Sequence, residues 1–422
     1  MWAEESVFYH IYPLGFCGCP QHNDFVSAAE HRLGKISAWL EHISSLGVNA
    51  LYLGPVFEAS AHGYDTADYL TVDRRLGTND DLKELVRLCH QRGIRVVLDG
   101  VFNHVGRNFW AFADVRRNRE NSPYCSWFKL NFDYDNRYHD GFCYEGWDGC
   151  DDLVKLNLRN PEVRRYLLDV VSRWIQEFDI DGLRLDVAHY LYRRFLRELH
   201  NTCAGLKSDF WLMGEVLWGN YRRWVNPDML QSVTNYECYK GLHSSCNDHN
   251  MFEMAYSLER QYAAPGGLYQ GCNFYSFLEN HDVSRIATLL RDERQLKPLY
   301  ALLFTVPGIP ALYYGGEWGV KGCRENSDAE VRPSLELLPD NDLTVHLRYW
   351  INLRRCSKVL AYGSYRQLAL NSNLLAFVRE YEGERLVIAV NIGDFPQNFE
   401  LEGRTYTVNP VSYTHLRAHE TC

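Results

Sequence analysis

The sequence predicts an α/β chain organised as a (β/α)8 TIM barrel, with an inserted lobe after the third strand and a small C-terminal antiparallel β domain that looks truncated. Three observations predict it. First, four strand-like runs end, in chain order, in acid, amide or imidazole groups: Leu98-Asp99-Gly100-Val101-Phe102-Asn103-His104, Ile180-Asp181-Gly182-Leu183-Arg184-Leu185-Asp186-Val187, Leu212-Met213-Gly214-Glu215-Val216 and Phe277-Leu278-Glu279-Asn280-His281-Asp282. A buried parallel strand is normally a continuous apolar run, and an ion inside one is costly unless it is paired or sits at an opening. A parallel barrel gathers such strand ends on one face, where its active sites lie. Second, strand-like and helical stretches alternate over about 350 residues, the span of a larger barrel. Third, beyond residue 361 the alternation gives way to short β runs separated by turns.

Taken in order, residues 6–13 read as the first strand, residues 34–42 as helical before Gly47, and residues 50–56 as the second strand, followed by a loop over 61–69. The next helix starts at Asp80 and Asp81, which suit its positive end; Leu82, Leu85, Val86 and Cys89 mark its apolar face, and Gly93 supplies a left-handed stop. Residues 95–102 form the third strand. Between His104 and Asn157 the alternation stops in a stretch rich in Trp, Tyr, Phe, Asn, Asp and Gly, too long for an ordinary connection, which reads as an inserted lobe over 104–157. Asn160-Pro161 is an N-cap with proline at the first helical position, and Val163, Leu167, Val170, Trp174 and Phe178 share one face leading to strand four. A helix over 191–200, strands over 210–216 and 232–236, a helix over 251–262, a strand over 273–277 and a helix over 297–304 continue the series. Residues 309–316 are the eighth strand and 344–356 the last helix. The barrel thus spans 1–103 and 158–360. Runs at 374–379, 385–390 and 397–401 form a partial β domain over 361–410. Residues 411–422 resemble the translation of a sequencing-library adapter and are expected to be a non-native tail that packs against nothing.

Bulk properties narrow the class. At 422 residues, 46% hydrophobic and 23% charged, the chain has the composition of a globular enzyme with one large domain and a small one. The formal charge of −10 and the lack of basic runs argue against a nucleic-acid partner. No run approaches the ~20 apolar residues of a membrane span, and Met1-Trp2-Ala3-Glu4-Glu5 lacks the features of a signal peptide. The thirteen cysteines are unpatterned, with Cys17-x-Cys19 the one close pair and no second pair to complete a metal site. These features point to reduced thiols and a cytoplasmic location.

In this order and spacing the polar strand ends resemble the conserved regions of the α-amylase superfamily of glycoside hydrolases, over essentially the whole chain to about Pro410. Asp99-Gly100-Val101-Phe102-Asn103-His104 is similar to the strand-three motif, Gly182-Leu183-Arg184-Leu185-Asp186 to strand four, Gly214-Glu215-Val216 to strand five, Asn280-His281-Asp282 to strand seven, and Gly308-Ile309-Pro310-Ala311-Leu312-Tyr313-Tyr314-Gly315 to strand eight. Val154-Lys155-Leu156-Asn157 resembles a marker of cyclomaltodextrinases and neopullulanases, so the pattern is closest to those and to maltogenic amylase-like members. The resemblance implies Asp186 as nucleophile, Glu215 as general acid/base and Asp282 as transition-state stabiliser. It implies His104 and His281 as partners of sugar hydroxyls, Tyr64 as a platform for the cleaved glucose and Asp99 as an orienting residue; Arg184, two residues before Asp186 and on the same face, is expected to hold the nucleophile ionised and oriented. Retaining glycosidases need two carboxyl groups ~5–5.5 Å apart, which neighbouring strand ends can supply.

The third and fourth residues after Asp186 depart from the family. The α-amylases have Lys-His there and the cyclomaltodextrinases Asn-Glu, whereas this chain has His189-Tyr190. Asn103 is a potential calcium ligand but does not make a ligand set, so no cofactor and no metal site are expected. The implied function is retaining hydrolysis of α-1,4-glucosidic bonds in maltooligosaccharides or cyclodextrins. The alternatives on the same scaffold are an α-glucan transglycosylase and an α-1,6-acting oligoglucosidase; a non-catalytic barrel would lack one or more of the three acids. The expected partner is an α-glucan oligosaccharide, with no membrane and with the oligomeric state open.

Overall fold

Eight parallel strands carry the site, and their register follows from what each pair can bury. The computed structural model describes residues 1–419. The strands are β1 (Phe8–Ile11), β2 (Ala50–Leu53), β3 (Arg95–Gly100), β4 (Gly182–Leu185), β5 (Trp211–Gly214), β6 (Ser232–Val233), β7 (Tyr275–Phe277) and β8 (Ile309–Tyr313). They pair in the order β6-β5-β4-β3-β2-β1-β8-β7, and a parallel bridge from Thr234 to Tyr275 closes β6 onto β7. At Gly182 any Cβ would stand 2.5 Å from the Trp211 carbonyl oxygen, so only glycine lets β4 approach β5 there.

Phe8, Tyr52, Val97, Trp211, Met213, Tyr275, Phe277 and Ile309 fill the barrel as one apolar cluster. Phe8 meets Trp211 at 5.1 Å and Tyr275 at 5.5 Å between ring centres. This plug excludes water from below. The polar side chains of β3 and β4 therefore have only the C-terminal mouth, or each other, to turn to.

Outside the barrel run α1 (Gly34–Leu46), α2 (Asn79–Gln91), α3 (Pro161–Phe178), α4 (Arg193–Leu206), α5 (Tyr236–Asn247), α6 (Met251–Tyr262), α7 (Leu296–Thr305) and α8 (Asp342–Cys356). The local signals act where they are read. Thr78 caps α2 in a reciprocal box with Asp81, and Gly93 takes φ +70° just past its end. Asn160 accepts the Glu162 N–H at 2.8 Å with Pro161 at the first helical position.

The strict alternation fails at one step. Between β5 and β6 there is only a single 3-10 turn, Tyr221–Arg223, and both α5 and α6 follow β6. The expected strand over 232–236 is correspondingly short, because Tyr236 already begins α5. The stretch 61–69 is not all loop: Phe57–Ala59 and Thr66–Val72 pair as an antiparallel ribbon. Among the described residues no helix is long and apolar enough to cross a membrane.

The lobe after β3 has a small antiparallel sheet made of His104–Gly106, Cys150–Lys155 and Gly146–Trp147. Its aromatics divide. Phe112, Phe128 and Tyr144 pack as its own core, whereas Trp147 stacks over His104 at 6.0 Å and faces the barrel mouth.

In the C-terminal domain β9 (Ser364–Leu370), β10 (Leu374–Tyr381), β11 (Glu384–Asn391) and β14 (Ser412–His419) form one antiparallel sheet. The hairpin of β12 (Gln397–Leu401) and β13 (Arg404–Val408) covers one face through Phe399 and Val408. This corrects, for residues 411–419, the expectation that residues 411–422 pack against nothing; residues 420–422 lie outside the described residues. Ser412–His419 pairs along the whole of β11. Tyr413 bonds His346 through its hydroxyl at 2.9 Å and meets Trp350 at 5.1 Å, and Leu416 packs on the hairpin side. The reason is the period-two pattern of Tyr413 and His415 against Thr414 and Leu416, set beside a β11 edge that would otherwise be open. Truncating the chain after Pro410 is therefore expected to lower the melting temperature by several degrees. An unchanged melting temperature would show that β14 contributes nothing to the fold.

Candidate active site

Register decides which polar groups meet at the mouth. Arg184 on β4 lies directly across from Asp99 on β3, and the next pair, Leu185 and Gly100, leads into Asp186. On the other side Leu185 pairs with Gly214, which leads into Glu215. Three carboxylates thereby converge on one buried guanidinium. Arg184 Nη1 donates to Asp99 Oδ1 at 3.0 Å and to Asp186 Oδ1 at 2.8 Å, and Nη2 lies 3.0 Å from Glu215 Oε1. The second oxygen of Glu215 accepts the Val187 N–H at 3.0 Å. Val187 holds that N–H in place at φ +40°, a conformation a β-branched residue seldom adopts and one that marks strain beside the site.

A second branch runs from Asp99 to Asp282. Asp99 Oδ2 accepts the Tyr52 hydroxyl at 2.8 Å and the Tyr64 hydroxyl at 3.1 Å. Tyr64 also contacts His281 Nε2, which lies 2.9 Å from Asp282 Oδ2. The His281 ring is stacked between Tyr64 at 5.5 Å and Tyr12 at 5.7 Å. Arg332 closes this side, donating to Asp282 Oδ1 and to the His281 carbonyl oxygen, both at 2.9 Å.

His104 is buried, with its Nε2 3.8 Å from Asp186 Oδ2 and no hydrogen-bond partner. Burial pushes its imidazole down to about 3, so it is neutral. Asn103 Nδ2 lies 3.2 Å from His104 Nδ1, and as its donor it leaves Nε2 carrying the proton, aimed at the mouth. Glu279, also in the strand-seven run, is not part of this group. Its carboxylate turns into the core, accepting Arg285 at 3.3 Å and the Ile286 N–H at 2.7 Å.

The electrostatics separate the acids. Burial raises Asp186 well above the ordinary carboxylate range; Arg184 opposes this but does not outweigh it, and the neighbouring charges of Glu215, Asp99 and Asp282 reinforce it, which corrects the expectation that Arg184 alone keeps the nucleophile ionised. Withdrawal from water also pushes Asp282 upward, but His281, Arg332 and Arg184 outweigh it and hold that carboxyl well below the ordinary range. Asp186 is therefore the acid whose ionisation is held back, while Asp282 stays ionised. For the sign, a raised carboxyl must lose its proton before it can attack, so activity falls as pH drops through the raised value. The acid limb of kcat/KM is expected well above the ~3.9 of an ordinary aspartate. A limb at or below that value, measured on a small substrate, would contradict this ionisation order.

Every predicted site residue lies in this group: Asp186, Glu215, Asp282, Tyr64, His104, Arg184, His281 and Asp99. Sequence reasoning missed Tyr52, Tyr12 and Arg332. Tyr52 and Tyr12 carry no local signal beyond a polar atom on or beside an apolar strand, and Arg332 stands fifty residues from Asp282. At the departure after Asp186, His189 and Tyr190 join an aromatic rim: Trp147 to Tyr190 at 4.5 Å, Tyr190 to His189 at 4.5 Å and His189 to Trp218 at 4.9 Å. Asn103, the residue with calcium-ligand potential, places its side-chain nitrogen against His104.

Comparison with known proteins bears on the whole chain. Residues 31–336 match the family model described as the alpha amylase catalytic domain. A cyclomaltodextrinase of Bacillus sp is 33% identical over 419 residues, covering 92% of this chain and 73% of that protein. The intracellular maltogenic amylase of Bacillus subtilis is 30% identical, covering 95% of this chain and 70% of that protein. The solved complex of an Arthrobacter globiformis cyclic α-maltosyl-(1→6)-maltose hydrolase superposes with a TM-score of 0.88 at 30% identity, covering 99% of each chain. With the family model spanning most of the chain and falling on the strands that gather these carboxylates, the chain belongs to the α-amylase family of glycoside hydrolases.

Proposed function

We propose that the protein hydrolyses α-1,4-glucosidic bonds of maltooligosaccharides or cyclodextrins with retention, through a covalent glycosyl-enzyme intermediate. The observation that carries this reading is the single guanidinium of Arg184 holding Asp186 and Glu215 at 2.8 and 3.0 Å. One planar group spanning two carboxylates fits the short separation that retention requires, ~5–5.5 Å. Asp186 attacks the anomeric carbon while Glu215 gives its proton to the leaving oxygen. Glu215 then takes a proton from water, which releases the sugar from Asp186. Asp282, kept ionised by His281 and Arg332, supports the positive charge that develops on the ring. His104 Nε2, buried and unpartnered, offers its proton to a sugar hydroxyl. These side chains and water complete the cycle without a resident cofactor.

A second reading concerns linkage. The solved relative named for cyclic α-maltosyl-(1→6)-maltose matches end to end, which favours testing saccharides containing α-1,6 bonds alongside the α-1,4 series. We further propose a cytoplasmic location. The maltogenic amylase relative is described as intracellular, and the described cysteines are free thiols.

The test is chromatography of products from maltotriose, cyclodextrin, pullulan, isomaltose and the cyclic tetrasaccharide. Because Trp147 and Tyr190 narrow the mouth, kcat/KM per cleavable bond is expected to be higher on cyclodextrins or short maltooligosaccharides than on soluble starch. Iodine staining of amylose that falls before reducing sugar accumulates would instead assign an endo-acting enzyme. Sugar products from none of these substrates would overturn the proposal, and oligosaccharides longer than the donor would assign transglycosylation.

A further inference from the structure

His281 uses one of its two ring nitrogens at the mouth. Its Nε2 faces Asp282 Oδ2 at 2.9 Å and the Tyr64 hydroxyl. A carboxylate can only accept, so Nε2 is the nitrogen that holds a proton. The other nitrogen, Nδ1, is buried and has no hydrogen-bond partner. In a neutral ring protonated on Nε2, Nδ1 is an acceptor that lacks its donor. Buried acceptors are seldom left in that state, and the bond made by one imidazole nitrogen sets where the proton sits on the other.

The neighbours of the ring narrow the choice of donor. Tyr64 and Tyr12 lie nearly parallel to it, and their hydroxyls are already given to Asp99 and to the His62 carbonyl oxygen. Arg332 is spent on Asp282 and on the His281 carbonyl oxygen. One further side chain meets the ring. His10 stands perpendicular to it, at 89° and 5.3 Å between ring centres.

His10 belongs to β1, and parallel register places it between Tyr52 of β2 and Tyr313 of β8. The rings of those tyrosines lie 4.2 and 4.8 Å from its own and fix its orientation. Burial pushes its imidazole well below the usual range, so the ring is neutral and has one donor nitrogen to offer. Its Nε2 is buried without a partner, like Nδ1 of His281. Two adjacent rings thus each leave one nitrogen unsatisfied. One water molecule that accepts from the first and donates to the second satisfies both.

We infer that His10 is a positioning residue for the proposed hydrolysis: through one water it supports His281 Nδ1 and keeps the His281 proton on Nε2, toward Asp282 and the substrate. With the proton on Nδ1 instead, a lone pair would face the Asp282 carboxylate, and the mouth would lose a donor. The inference rests on the hydrolase reading for its effect on rate, whereas the position of the proton is read without turnover.

The test uses the full chain with isotope-labelled histidine and nitrogen NMR, the His281 signals being identified by their loss in His281→Asn. In the wild type the proton is expected on Nε2. His10→Phe keeps a ring between Tyr52 and Tyr313 but has no nitrogen, and the His281 proton is expected to spread to Nδ1. His10→Gln gives up the ring but returns a donor, and the proton is expected to stay on Nε2. Kinetics on maltotriose should follow the same order. In His10→Phe kcat is expected to fall about tenfold, as for one neutral hydrogen bond, with KM little changed. In His10→Gln it is expected to stay within about twofold of the wild type. A packing role alone predicts the reverse order, since phenylalanine replaces the ring better than glutamine does. A His281 tautomer that is unchanged in His10→Phe, or altered equally in both variants, overturns the inference. If His10→Phe does not fold, His10→Met takes its place beside His10→Gln; the two differ little in volume, and only glutamine donates. A wild type that cleaves no α-glucan rejects the hydrolase reading, while the tautomer still decides the role of His10.

Discussion

Asp186→Asn is expected to lower kcat by about 10⁴-fold or more, with a stability equal to or above that of the wild type. The two effects have one cause. In the proposed reaction Asp186 is the group that attacks, while Glu215 is held by Arg184 and the Val187 N–H, and Asp282 by His281 and Arg332. The amide keeps an oxygen for Arg184 but cannot form the glycosyl ester. The wild-type cluster also crowds three carboxylates around one guanidinium, and burial with like-charge repulsion raises Asp186. A raised acid destabilises the folded state once pH exceeds its unfolded value, so its removal relieves the protein near neutrality. Kinetics on a short maltooligosaccharide together with thermal unfolding test both parts. Retention of more than about 1% of wild-type kcat in a folded variant would remove Asp186 from the nucleophile position.

Arg184→Met is expected to have the largest effect on stability, a loss of about 3–5 kcal/mol near pH 7. The guanidinium is buried and is the shared cation of Asp99, Asp186 and Glu215. Methionine fills much of the volume but leaves three carboxylates facing one another above the apolar plug of Phe8, Trp211 and Tyr275. The sign of the pH dependence identifies the cause. Without the cation these acids are raised, so the deficit is greatest above the ordinary carboxylate range and shrinks as pH falls and they protonate. Denaturant unfolding at pH 7 and pH 4.5 separates this from a packing defect, which would cost the same at both. An equal loss at the two values would reject the electrostatic account.

Much of the architecture was legible because its signals are local. The helix caps at Thr78 and Asn160, the apolar strand runs and the polar residues that end β3, β4, β5 and the strand-seven run all act over a few residues. In a parallel barrel the strand direction alone sends such ends to one face. That is why Asp99, Arg184, Asp186, Glu215 and Asp282 could be named before any contact was known. Residues whose role depends on barrel closure were not legible. Tyr52 reads as an apolar strand residue until register turns it inward beneath Asp99. The two-residue β6 gains its place through the Thr234–Tyr275 bridge, which no local pattern specifies.

By itself the sequence determined the fold class, the order of the strands along the chain and which of them end in polar groups, since periodicity and strand-end composition are properties of short segments; the roles expected of the acids came from the resemblance to the α-amylase superfamily. Tertiary structure alone decided what surrounds the acids. Arg332 reaches Asp282 from the loop after β8, Trp147 turns to the mouth while Phe112 turns into the lobe, and Ser412–His419 becomes an edge strand because β11 offers it a partner. Burial and Coulomb interaction depend on distances between groups far apart along the chain, and those distances exist only once the barrel has closed.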